Sequence, residues 1–183
     1  MLKDFIVNIY VTDIHIVLIA TFLIYLLWVL LCTAFGRKII VLAIVLSVLS
    51  VLAIIYVTLF SRSFSVVPDI YNLVPFHSFV AAKAQKEVYR SMLMNVLLFL
   101  PLGMTLPFAF KFVFKKRLGI VVLSGFLLSV IIEAVQGAFS LGRVEVDDVL
   151  CNTLGVVLGC CTWYFVQWLT KIKADLRKKK SDE

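Results

Sequence analysis

The chain has 183 residues, 62% of them hydrophobic and only 16% charged, where soluble domains run at roughly 45–50% and about 25%. No soluble fold has interior enough for that much apolar surface. The net charge of +7 on such a chain reports membrane topology rather than affinity for nucleic acid.

A bilayer's hydrocarbon core is roughly 30 Å thick and takes about 20 apolar residues in a helix. The first uncharged run that passes, 14–35, carries His15 as its one chargeable residue. Ahead of it, residues 5–11 between Asp4 and Asp13 read as an interfacial N-terminal turn. With no basic leader or small-residue cleavage site there, the first span is expected to stay as an anchor. The second run, 39–60, carries no charge.

The connection that follows, 61–91, contains Asn72-Leu73-Val74-Pro75-Phe76-His77-Ser78-Phe79. Its proline discourages helix and its aromatics suit a membrane interface, so a loop lying on the outer bilayer surface is expected. The third run, 92–110, is bounded by Arg90 and Lys111 and holds Pro101 and Pro107; it spans, with an expected bend. The fourth, 118–141, holds one carboxylate, Glu133, and the fifth, 149–170, holds none. These runs predict an all-α polytopic bundle of about five transmembrane helices, a single membrane domain over 1–183 ending in a basic tail, 171–183.

Cys32, Cys151, Cys160 and Cys161 fall inside apolar runs without CxxC spacing. Neither a metal site nor a disulfide framework is supported, and no cofactor is expected.

If the spans alternate, one side receives Arg37, Lys38, Lys111, Lys115, Lys116, Arg117 and the tail lysines and arginine, twelve of the eighteen basic residues. The other receives Lys3, Arg62, Lys83, Lys86, Arg90 and Arg143. Basic residues in short loops favour the cytoplasm, which predicts the N-terminus outside and the C-terminus inside.

In that orientation Glu133 lies about six to eight residues before the outer end of its helix, roughly 10 Å deep. A carboxylate there costs a few kcal/mol unless neutral, paired or hydrated, so it faces the bundle interior. Ser129, Glu133 and Gln136 share one helical face. On the next helix Asp148, Asn152, Gly155 and Gly159 form a second stripe, polar then small, and the two stripes are expected to face each other. The short link through Arg143, Glu145, Asp147 and Asp148 predicts an ion-pair network. Arg90 and Asn95 start the third span at the same end. The expectation is therefore a cluster of Arg90, Asn95, Glu133, Gln136, Arg143, Asp147, Asp148 and Asn152 at one level. Paired charges that merely specify packing are the bland reading of it; intramembrane ionisable residues otherwise mark function.

Asn72-x-x-Pro75-Phe76, then Arg90 with Asn95-Val96-Leu97-Leu98-Phe99-x-Pro101-x-Gly103, then Glu133-x-x-Gln136, and finally Arg143-x-x-x-Asp147-Asp148-x-x-x-Asn152-Thr153-x-Gly155-x-x-x-Gly159 stand in order over about residues 70–160. In joint order and spacing this resembles the VanZ-like family; Glu145 stands where an aspartate is expected. The resemblance implies a multi-pass membrane protein of Gram-positive-type envelopes, with some members associated with low-level resistance to teicoplanin and lipoglycopeptides.

Three functions compete. A non-enzymatic protein would hold a glycopeptide antibiotic or lipid-linked wall precursor at the outer face. An intramembrane enzyme on a lipid head group would use Glu133 or Asp148 as acid or base, His77 as a second one and Arg90 or Arg143 as an anion clamp; no nucleophile motif or metal-ligand spacing supports it. A small transporter would use the proline-broken third span, but no internal repeat is present. Partners would be membrane lipids and the ligand, without nucleic acid; the first two helices would scaffold the rest or form an oligomer contact.

Overall fold

The computed structural model describes residues 14–60, 71–109 and 117–181. Five helices are long and apolar enough to cross a membrane, and the chain is an all-α polytopic bundle. The interfacial turn expected at 5–11, and the basic residues Arg62, Lys111, Lys115 and Lys116, lie outside the described residues.

Helix α1 (Ile14–Phe35) is apolar on all sides, as a lipid-facing span must be. It ends at Gly36, whose φ of 51° is the left-handed conformation that glycine adopts without a Cβ penalty. A 3₁₀ turn over Gly36–Ile39 reverses the chain into α2 (Ile40–Ile55), which loosens into a π-helical turn over Tyr56–Phe60. After β1 (Tyr71–Asn72) and the short α3 (His77–Ala81) comes α4 (Lys86–Ala109), then α5 (Arg117–Ala138), β2 (Val144–Glu145) and α6 (Val146–Ser181).

The third span differs from its expectation at its start. Residues 86–91 are helical, so α4 begins a turn and a half before the apolar run. It stays one helix through Pro101 and Pro107, although each proline removes a helix hydrogen bond. The fourth span ends at Ala138 rather than at 141. The fifth is longer at both ends: its 36 residues reach about 54 Å, well beyond a roughly 30 Å hydrocarbon core. Its last turns, through Lys180, are exposed, so the basic tail is a projecting helix.

Helix α4 is the hub, with 61% of its most apolar window buried, against 17% for α1 and for α2. Its closest neighbour is α6. A Cβ at Gly155 would strike the Val96 carbonyl, one at Gly159 the Leu100 carbonyl, and one at Gly103 the Val156 carbonyl. The contacts advance together along both chains, so α4 and α6 run parallel at near backbone contact, as small residues permit in lipid. The glycine stripe of α6 therefore turns towards α4 and not, as expected, towards α5; its spacing specifies close approach without naming the neighbour. On α5, Gly125 faces the Val156 side chain.

Elsewhere α2 is tied to α4 by the Ser47 hydroxyl donating to the Thr105 oxygen over 2.9 Å. The Trp28 indole of α1 donates to the Met104 carbonyl over 3.0 Å. Trp28, Phe108 and Trp163 stack edge to face at 5.8 and 5.1 Å, closing the end of the bundle where α4 finishes. The polar residues gather at the opposite end.

Candidate functional site

At the end where α4 and α6 begin, the segment that starts at Tyr71 ahead of α4 meets the connection between α5 and α6. The two meet as a parallel bridge, Tyr71 opposite Val144 and Asn72 opposite Glu145. Neither segment alternates long enough to be recognised as strand in sequence, and each has its partner over 70 residues away.

Asp147 organises this junction. It sits in the first turn of α6, 1% exposed, and its two carboxylate oxygens accept the backbone N–H groups of Phe76 and Ser78 over 2.7 Å each. Those donors belong to the start of α3, where Phe76 has φ 65° and the first N–H groups have no helical acceptor. The carboxylate thus caps α3 from another helix, a charge-assisted arrangement that also suits the positive end of α3. The described chain before α3, 71–76, is non-helical, as the proline suggests, and is held as a strap.

Further bonds extend the junction. The Ser78 hydroxyl donates to a Glu145 carboxylate oxygen over 3.0 Å. The Glu145 backbone N–H donates to Glu133 over 3.0 Å, and the Asn72 amide donates to Nδ1 of His77 over 3.0 Å. Glu133 is 6% exposed and lies five residues from the end of α5 at Ala138, shallower than the sequence suggested. It reaches a backbone donor because β2 dips towards it.

Deeper in, the Asn152 amide donates to the Ser129 hydroxyl over 2.8 Å, joining the polar stripes of α5 and α6. Nearer the end of α5, the Gln136 amide donates to the Thr58 carbonyl over 3.0 Å, joining α5 to the π-helical turn, where the altered helical pattern leaves a carbonyl accessible. Ser129→Ala is expected to lower the melting temperature in detergent at a cost of about 1–2 kcal/mol, because it takes the acceptor from the buried Asn152 amide.

Three amide atoms in this half of the bundle have no hydrogen-bond partner among the described residues: Nδ2 of Asn95, Oδ1 of Asn152 and Oε1 of Gln136. Their residues are 8%, 3% and 0% exposed. Asn95, nine residues into α4, is about 14 Å from that helix's start at helical rise.

The remaining sequence candidates scatter in exposure. Pro75 and Phe76 are exposed on the strap, Asn72 and Asp148 are half-buried, and Arg90 is half-buried just inside α4. Arg143, around which an ion-pair network is expected, is exposed. Asp147 is engaged by backbone donors and Glu145 by a hydroxyl. Ser78, buried at 5%, and Thr58 were not marked by sequence; a lone hydroxyl beside aromatics carries no signal of a partner so far along the chain. Among the described residues no group of three histidine, cysteine or acidic side chains could hold a metal.

A polytopic helical membrane protein, with a non-spanning strap latched by acids over buried amides at one end, is the class that this fold and site define. The chain belongs to the VanZ/LLP1 family, which it matches over residues 46–167. It is 35% identical over 72 residues to Protein VanZ of Enterococcus faecium, a stretch covering 39% of this chain and 42% of that protein. The match thus spans about two fifths of the curated relative's length. No solved structure matches the chain.

Proposed function

We propose that this protein lowers the susceptibility of a Gram-positive-type cell to teicoplanin and lipoglycopeptides. It does so by holding a lipid-linked ligand, the drug or the lipid-linked wall precursor, in its polar site at the extracytoplasmic face. Family membership supports the general role, and the distribution of basic residues supports placing this end outside. The observation that carries the reading is the set of buried, unpartnered amide atoms on Asn95, Asn152 and Gln136. In a membrane bundle an unsatisfied polar group costs several kcal/mol, a burden that is retained where a ligand's own donors and acceptors complete the bonds.

The test separates function from folding. Asn95→Leu is close in size and removes an unsatisfied polar group, so stability should be unchanged or slightly raised. Susceptibility to teicoplanin in a sensitive host should return to that of cells lacking the protein, and affinity for the ligand in nanodiscs should fall about tenfold or more. If wild-type protein neither changes susceptibility nor binds teicoplanin or the precursor, the proposal fails.

A further inference from the structure

Beside the polar site a groove of about 370 Å³ lies between α3, α4 and α6. It is lined by Phe79, Leu93, Val96, Leu154 and the buried Cys151, together with the exposed Lys83 and Tyr89. The volume lies within the roughly 300–1,000 Å³ of small-molecule sites, but the lining is almost wholly apolar, so the occupant's buried part must be apolar too.

The groove's length is informative. Lys83 precedes the first residue of α4, Lys86, and Val96 lies ten residues further on, about 15 Å along the helix. The apolar run begins at Met92, so the first part of this length lies in the head-group region and Val96 reaches about 6 Å into the hydrocarbon core. A cation above, an aromatic hydroxyl at the interface and an apolar lining below match a phospholipid's phosphate, glycerol region and upper chain in order. Lys83, the one charged residue of the lining, is exposed, so the charge there favours an anionic head group. It disfavours a second copy of this chain, which would bring the same cations.

We infer that this groove seats one acyl chain of an anionic phospholipid from the leaflet it opens to, with the lipid phosphate at Lys83. The site differs from an ordinary lipid-facing surface because α3 walls it on one side. Helix α3 is held in place by the Asp147 carboxylate. The inference stands apart from the proposed effect on antibiotic susceptibility, since it concerns a different surface and needs no drug.

Native mass spectrometry of the full chain in detergent tests it, with phosphatidylglycerol and phosphatidylcholine of identical chains, and inorganic phosphate alone, as probes. One phosphatidylglycerol should remain bound per chain, and inorganic phosphate should not bind. Lys83→Ala should lower phosphatidylglycerol retention about fivefold, towards the level of phosphatidylcholine. Leu93→Trp, or Leu154→Trp on the facing wall, should fill the groove and abolish retention of both lipids. Equal retention of the two lipids by wild type, or retention unaffected by the tryptophans, overturns the inference; so does a dimer that forms without lipid and is broken by them. Should both tryptophan variants misfold, the Lys83→Ala comparison decides alone. Teicoplanin susceptibility of the Lys83→Ala strain, measured in parallel, reports on the proposed function separately.

Discussion

Gly155→Ala is expected to destabilise the bundle by about 3 kcal/mol, the upper end of overpacking penalties. The added methyl would meet the Val96 carbonyl of α4, which is backbone and cannot rotate away as a side chain could. Either α4 and α6 separate along their whole contact or the helices shift in register, and both responses disturb Gly159 and Gly103 as well. Because Asp147 and Asn152 lie on the same helix, within two or three turns of the clash, separation also moves the latch away from the strap. Gly119→Ala is the matched control: nothing lies within 4 Å of a Cβ there, so it should be neutral or stabilise by up to about 1 kcal/mol through helix propensity.

The chain carries its own reporter for this comparison. Cys32, Cys151 and Cys160 are buried and Cys161 is exposed, so on a Cys161→Ser background a thiol-reactive dye reports melting as the buried thiols appear. A Gly155→Ala melting point equal to that of Gly119→Ala would show that α4 and α6 do not meet at backbone distance.

Asp147→Ala is expected to cost about 3 kcal/mol or more, since two backbone donors lose a carboxylate and each such bond contributes about 1.5–3 kcal/mol. The N–H groups of Phe76 and Ser78 would then seek water, pulling the strap outward and opening the wall of the neighbouring groove. Hydrogen exchange should show protection lost at residues 76–80 and retained through the middle of α4. Asp147→Asn should fall between, because the amide supplies one acceptor and a donor where two acceptors are needed. Unchanged exchange at Phe76 and Ser78 would mean that α3 is held by something other than Asp147.

Five spans were legible from the sequence because an uncharged run of about 20 residues has few alternatives to crossing a bilayer. The polar faces of α5 and α6 were legible for a related reason: residues at helical spacing share a face whatever surrounds them, as the Asn152 to Ser129 bond illustrates. The ends of α4 and α6 were not, since hydropathy stops at the first charge whereas a helix continues through Arg90 or Lys171 once its neighbours and the interface satisfy them. The hold on the link between α5 and α6 was not legible either, because charge proximity along the chain says nothing about backbone donors remote in sequence. Those donors come from Phe76 and Ser78, about 70 positions earlier.

By itself, then, the amino-acid sequence determined the class of protein, the number of spans and which residues must hide from lipid, because transfer between water and hydrocarbon depends on composition and period. Only the tertiary structure decided that the α6 glycines meet α4, that Asp147 caps a helix other than its own, and which amide atoms lack partners among the described residues. Each of these depends on the distance between groups remote in the chain, and hydrogen bonds and backbone contacts act over only a few ångströms.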